Sequence, residues 1–388
     1  MARLGEVCEI LNGYAFKSEK YVDTGIRIIR ISNVQKGYIE DNMAVFYPSD
    51  DINSVKYQLF EGDILLSLTG NVGRVGILEK KFVPAALNQR VACLRIKDNN
   101  ILYKSYLFNF LNSDFFEERC IFSAKGVAQK NMSTEWLKNY QIPLLPIEEQ
   151  QKIAAVLDKV SDLIAKRRQQ LEKLDLLVKA RFVEMFCNPI ENANWEFVNM
   201  ADISTDMRTG PFGSALRHNE FVETGIFVLG IDNAVENRFT YNRMRYITEE
   251  KYEQLKRYTV RPGDVIITIM GTVGRSAVIP DNIPKAINTK HLACLTINRS
   301  KAQPMFVCCA FQMHPEIRQQ LTGQAKGASM DGLNLTIIKK LSFKLPPLEI
   351  QNEFVKFFGA TEKTKTIIEE SLMKLETIKK ALMQEYFG

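Results

Sequence analysis

Few places in this 388-residue chain combine residue types and spacings that could do chemistry. Asp63 stands upstream of Glu79-x-Lys81, the acid–acid–lysine shape of a metal-dependent phosphodiester-cleaving site. Gly70-x-x-Gly73-x-x-Gly76 follows an apolar run and could carry backbone close to a ligand. It resembles the GxxG clamp of a nucleic-acid-binding KH loop, but that loop joins two helices and this one lies between strands, so a tight turn is the reading adopted. His218, His291 and His314 are scattered and predict no metal cluster. No dinucleotide fingerprint or Walker sequence occurs, and Asn188-Pro189-Ile190 reads as a helix stop rather than the Asn-Pro-Pro-aromatic motif of an amino-methyltransferase.

An internal repeat decides between these readings. Asp23-Thr24-Gly25-Ile26 returns as Glu223-Thr224-Gly225-Ile226, Gly62-Asp63 as Gly263-Asp264, and Gly70-x-Val72-Gly73-Arg74 as Gly271-x-Val273-Gly274-Arg275. Asn33 and Asn88 return as Asn233 and Asn288, Cys93-Leu94 as Cys294-Leu295, Ala124-Lys125-Gly126 as Ala325-Lys326-Gly327, and Pro146-x-Glu148 as Pro347-x-Glu349. The chain is therefore a tandem duplication with a period near 200. Asp264 is followed by Ile279-Pro280-Asp281-Asn282-Ile283, without a Glu-x-Lys, so Asp63 and Asp264 read as turn aspartates and the cleavage site falls away.

Each repeat has two parts. The first, 1–146 and again 191–346, alternates short β-type runs (Arg27–Ser32, Asp63–Leu68, Val91–Ile96, Asp264–Met270) with Gly, Asn and Pro turns, beside helical stretches such as Leu102–Asn112 and Met305–Gln312. The class predicted is α+β. The second part, 147–190 and again 347–388, is helical. From Ile147 to Phe186 there is no Gly or Pro, and Leu157, Ile164, Leu171, Val178 and Met185 recur every seven residues beside Ile153, Val160 and Leu174. That seam predicts a coiled coil, interrupted at Arg167 and Arg181. In the last helix Phe358, Leu372, Leu375 and Tyr386 align with the seam; Lys365 and Lys379 interrupt it, and Ile368 and Leu382 fill the places of the two arginines. Two interrupted stripes of equal length predict an antiparallel pair, each helix ~60 Å long. Such a pair would hold two similar heads at opposite ends, a spacing suited to half-sites about 34–36 Å apart on DNA.

Composition bounds the rest. With 46% hydrophobic and 25% charged residues the chain is neither disordered nor fibrous. The net charge of +6 points weakly to an acidic partner, and the positive excess sits in the heads rather than the helices. Seven cysteines without a CxxC, no readable signal peptide and no apolar span predict a cytoplasmic chain with reduced thiols and no membrane contact.

The doubled Gly-Asp-Ile-Leu-Leu-Ser / Gly-Asp-Val-Ile-Ile-Thr strand with its Gly-x-Val-Gly-Arg turn, and the doubled helix starts Leu144-Leu145-Pro146-Ile147-Glu148-Glu149-Gln150 and Leu345-Pro346-Pro347-Leu348-Glu349-Ile350-Gln351, resemble the specificity subunit of Type I restriction-modification systems. Phe16-Lys17-Ser18 before Tyr21 and Gly25 is similar to the opening of its first recognition domain; Phe212-Gly213-Ser214 departs from it, with Arg217 in a longer segment. The resemblance covers essentially the whole chain. It implies two target recognition domains (1–146, 191–346) and two conserved helical regions (147–190, 347–388). It also implies double-stranded DNA as a partner and a non-catalytic role beside two modification subunits that use S-adenosylmethionine to methylate adenine at N6. A restriction and translocation subunit using ATP and magnesium completes the assembly, so this chain itself needs no cofactor and no metal. The alternatives are a coiled-coil adaptor for protein partners and a stand-alone nuclease or methyltransferase.

Positions identical in both heads suit the fold or phosphates; positions that differ on the same scaffold suit base reading. Arg74, Arg275, Lys125 and Lys326 are the phosphate candidates. The candidates for base reading are Lys17 against Arg217, Asn71 against Thr272, Gln89-Arg90 against Thr289-Lys290, and Gln129, Lys130 and Asn131 against the Met330-Asp331-Gly332 run.

Overall fold

The computed structural model describes residues 1–41, 43–124, 131–188, 192, 194–325 and 333–388. By internal packing the chain divides into two compact units, Met1–Gln169 with Glu369–Gly388, and Gln170–Ile368. Each unit contains one head and half of each long helix.

In the first unit a four-stranded antiparallel sheet runs in the order Cys8–Asn12, Val91–Ile96, Ile64–Ser67, Val75–Ile77. Ile64-Leu65-Leu66-Ser67 is buried throughout because both faces are covered. Ile64 and Leu66 enter one apolar cluster with Tyr106, Phe110 and Phe116; Leu65 enters another with Ile29, Phe82 and Leu87. A second sheet, Phe46–Tyr47, Ile26–Ile29, Ala85–Leu87, Gln58–Leu59, is mixed, with Ile26–Ile29 parallel to Ala85–Leu87. Ala2–Arg3 pairs with Gln141–Ile142.

The second unit repeats this plan. Its four-stranded sheet is Ser204–Thr209, Leu292–Ile297, Val265–Thr268, Ser276–Val278, and its mixed sheet is Tyr246–Ile247, Ile226–Leu229, Ala286–Asn288. Phe197–Asn199 pairs with Ser342–Lys344. Helices follow in the same order, Lys104–Leu111, Asp114–Ser123 and Thr134–Asn139 in one head, Pro304–Met313, Pro315–Ala325 and Leu335–Lys340 in the other. The α+β class and the internal repeat are both present.

The central helix is Ile147–Phe186 and the last helix Leu348–Phe387. Inside the first unit Ala154 and Leu157 of the central helix share a cluster with Met383 and Phe387 of the last, and Arg168 meets Glu376 at 2.7 Å. Inside the second unit Asp175 meets Lys365 at 2.7 Å, and Arg181 meets Glu353 at 2.9 Å. Rising numbers on one helix meet falling numbers on the other, so the pair is antiparallel. Two of the four polar interruptions are thereby paired: Arg181 and Lys365 each reach an acid on the opposite helix. Burial pulls the Lys365 ammonium down, but Asp175 and Glu362 outweigh it and raise its pKa.

Every seam residue named above is buried or half-buried, but the heptad reading missed Phe182 and Phe186, which are among the best-buried residues of the central helix. There the helix touches a head as well as its partner helix, so its apolar face widens to i, i+4 spacing. Phe182 and Phe186 pack on Phe354 of the last helix and on Phe306 of the second head. Six of the seven cysteines are buried, none in a disulfide, and no helix among the described residues is long and apolar enough to cross a membrane.

The doubled helix start has a structural reason. Gln150 is fully buried, accepts from the Tyr103 N–H at 2.8 Å, and donates to the carbonyls of Ile101 at 2.9 Å and Leu145 at 2.7 Å. Gln351 does the same with the Gln303 N–H and the Lys301 and Pro346 carbonyls. One amide thus satisfies three backbone groups where the helix leaves the head. Gln150→Ala is expected to strand all three and to cost about 1–3 kcal/mol, measurable as a lower urea midpoint than the wild-type chain.

Candidate nucleic-acid interface

The carboxylates come first because they could have been catalytic. Asp63 is buried, receives a bidentate grip from Arg95 at 2.9 and 2.8 Å, and accepts from the Phe60 N–H. Asp264 accepts from Arg208 at 2.6 Å, the Arg261 N–H at 2.9 Å and Thr296 Oγ1 at 2.7 Å. The arginine comes from a different strand in each head, yet the carboxylate keeps the same duty of closing the turn before the central strand. Glu79 is instead paired with Lys81 at the surface. These are structural aspartates.

Just beyond each strand lies the Gly-x-Val-Gly-Arg turn, and a buried hydroxyl organises it. Ser67 Oγ donates to the Asn71 carbonyl and accepts from the Arg74 N–H at 3.1 Å, while the Gly73 N–H donates to the Ser67 carbonyl at 3.0 Å. In the second head Thr268 Oγ1 donates to the Thr272 carbonyl and accepts from the Arg275 N–H at 3.0 Å. The side chains of Asn71, Thr272 and Arg275 are exposed; Arg74 is half-buried and donates to Gln35 Oε1.

In the first head the backbone gathers most of the described candidates onto one edge. Leu68 N–H donates to the Arg90 carbonyl at 2.8 Å, the Met132 N–H to the Leu68 carbonyl at 2.8 Å, and Thr69 bridges Asn131. Gln89 N–H donates to the Tyr14 carbonyl at 2.8 Å, which links this edge to the segment carrying Lys17. Lys17, Gln89, Arg90 and Asn131 are exposed, and Arg90 holds a left-handed φ of 70° that turns the chain there. Lys125, Gln129, Lys130, Lys326 and Asp331 lie outside the described residues.

The second head corrects two sequence pairings. Ile29 pairs with Leu87, whereas Leu229 pairs with Asn288, so Asn288 stands where Leu87 does, not where Asn88 does. One extra residue precedes that point, and shared asparagines in shifted registers hid it. Hence Lys290 matches Gln89, and His291 matches Arg90: the Ile269 N–H donates to the His291 carbonyl at 3.0 Å as Leu68 does to Arg90. Thr289 is half-buried, with an inward hydroxyl that has no hydrogen-bond partner, so it faces the fold rather than an edge. The imidazole of His291 is pulled below its usual pKa by burial, then by Lys290 and Arg245. Sequence reasoning had set His291 aside as one of three scattered histidines.

The pairing of Lys17 with Arg217 holds. Its carbonyl accepts from the Lys20 N–H at 3.1 Å at the start of Ser18–Lys20, and the Arg217 carbonyl accepts from the Glu220 N–H at 3.1 Å at the start of His218–Glu220. Arg217 occupies the place of Lys17, and the additional residues fall between Gly210 and Leu216. A cation stands there in both heads. Residues around the shared Asn33 and Asn233 were also missed. Each asparagine caps its loop, accepting from the Arg30 or Gly230 N–H, but around them Arg30 and Ser32 in one head become Gly230 and Asp232 in the other, with Asp232 bound to Arg245. The signal was available: neighbours of a repeated residue that differ between repeats.

Two similar heads with matched backbones and unlike loop side chains, each built onto an antiparallel helix pair, define a tandemly duplicated protein. Comparison with known proteins makes this specific. The family model for the Type I restriction modification DNA specificity domain matches residues 1–174 and again 192–377, so the chain belongs to that family. It is similar to the specificity subunit of the Type I restriction enzyme EcoBI of Escherichia coli, 22% identical over 99% of this chain and 84% of that one. It is also similar to the MjaVIII specificity subunit of Methanocaldococcus jannaschii, 32% identical over 45% of this chain and 42% of its relative. Among solved structures, the Type I S subunit from M. genitalium covers the whole chain with a TM-score of 0.62 at 15% identity, matched over 95% of its own length. A chain from a structural study of complex assembly in the type I R-M system matches 99% of this one, and 96% of itself, with a TM-score of 0.59 at 17% identity. The chain is thus a specificity subunit with two target recognition domains, not an enzyme in its own right.

Proposed function

We propose that each head, residues 1–146 and 191–346, reads one half of a bipartite, asymmetric DNA site. The helical regions 147–190 and 347–388 set the half-site spacing and dock two modification subunits. Those subunits would hold S-adenosylmethionine and methylate adenine at N6. A restriction subunit using ATP and magnesium would join them, and this chain would supply no cofactor of its own. The observation that carries the reading is one scaffold used twice with different side chains on the same turns: Asn71 against Thr272, Gln89 against Lys290, Arg90 against His291. Asn, Gln and Arg can pair with base edges, and a shared cation such as Arg74/Arg275 or Lys17/Arg217 suits phosphates.

Docking is supported by the outward faces of the helices. Leu177 and Ile378 occupy equivalent positions in the two repeats and stand 49% and 48% exposed, an apolar residue left outside in both units. A duplicated apolar surface fits two copies of one partner. The test is sequencing of the N6-methyladenine methylome with and without the gene. Loss of one bipartite motif is expected; an unchanged methylome refutes the reading.

A further inference from the structure

The two heads differ beside the Gly-x-Val-Gly-Arg turn. In the second head a polar cavity of about 230 Å³ opens there, lined by Thr272, Arg275, Asn237, Gln312 and Arg318, with no carboxylate among the described residues of its wall. Its floor is built rather than accidental. Gln312 Nε2 donates to the carbonyls of Asn237 and Ser276, each at 3.1 Å, and the buried Ser276 hydroxyl donates to the Cys308 carbonyl at 2.9 Å. Arg318, on the helix Pro315–Ala325, lies against the turn: a Cβ on Gly274 would stand 3.5 Å from its Nη1. Among the described residues neither Arg275 nor Arg318 has an ion-pair partner. Two guanidinium groups on one cavity repel each other until an anion joins them.

The first head lacks this site. Val75, Leu107 and Leu111 stand where Ser276, Cys308 and Gln312 do, and all three are buried. Glu117 stands where Arg318 does and is paired with Lys36 at 2.6 Å, and Arg74 is held by Gln35.

We infer that Arg275 and Arg318 form an anion clamp particular to the second head, and that its ligand is a backbone phosphodiester of duplex DNA. The choice of DNA rests on the proposed function; the clamp itself does not.

Two measurements on the full chain separate them. The first is duplex affinity against salt concentration, followed by fluorescence anisotropy. Arg318→Gln is expected to lower the salt slope by about one unit and to weaken all sequences alike. Arg318→Lys should restore the slope, and Lys256→Gln, an exposed cation elsewhere on the same head, should leave it unchanged. The second is the thermal midpoint in rising inorganic phosphate, which should climb for the wild-type chain and less for Arg318→Gln and Arg275→Gln. A phosphate effect untouched by both substitutions overturns the clamp. A phosphate effect lost in the variants with an unchanged DNA slope keeps the clamp and overturns its assignment to DNA. A wild-type chain that binds phosphate there but no duplex sinks the DNA reading alone.

Discussion

Asp264→Ala is expected to destabilise the second unit by about 3 kcal/mol, the low end of the range for removing one partner of a buried ion pair, because Arg208 keeps Asp206 as a second partner. Asp264 is 1% exposed and Arg208, its partner at 2.6 Å, is 11% exposed. Deleting the carboxylate leaves Arg208 its surface partner Asp206 at 2.7 Å and the Thr259 carbonyl, but takes away its buried anion beside an Nε that already lacks a partner, and frees the Arg261 N–H and the Thr296 hydroxyl. Asp264→Asn keeps the shape and part of the hydrogen bonding, so it should cost less. Urea denaturation followed by tryptophan fluorescence reports the difference. A loss under about 1 kcal/mol for the alanine variant would mean that water already screens the pair, as it does at surface ion pairs.

The second large effect concerns specificity. Replacing residues 1–146 with the matching segment of another family member should change one half of the methylated motif completely and leave the other half intact. Each base pair lost from a site costs about 1–3 kcal/mol, so a change across one half removes recognition of the old sequence. The incoming segment must present an N–H and two carbonyls to Gln150 and an apolar seat for Met383 and Phe387, which pack into the first head. Long-read methylome sequencing of the hybrid gives the answer, and alteration of both halves contradicts independent reading.

Much of this architecture was legible because duplication makes a sequence its own control. The strands around Leu65 and Ile266 stood out as apolar runs, and the seam from Leu157 to Met185 as a heptad. What stayed hidden has physical causes. One extra residue between Asn233 and Gly263 shifts the register to 201, but the asparagines Asn88 and Asn288, which strand pairing places one position apart, suggest a shift of 200, so His291 was passed over in favour of Thr289. Phe182 and Phe186 escaped a seven-residue template because they pack on a head, not only on a helix. The polar floor made by Ser276 and Gln312 was invisible because the side chains come from a strand and a helix 36 residues apart. Gly13 and Gly210 likewise passed unnoticed, although a Cβ would lie 1.9 Å and 2.1 Å from the carbonyls of Asn88 and Asn288, a closeness that only glycine permits.

The buried glutamines Gln150 and Gln351 have a consequence for how such genes change. Each acts as a standard connector, because it recognises only main-chain atoms of the head that it serves. Main-chain atoms are common currency among all sequences of one fold. A crossover in the helical region could therefore deliver a foreign reading cassette to an unaltered socket, and new target sites could arise by trading whole modules rather than by slow substitution.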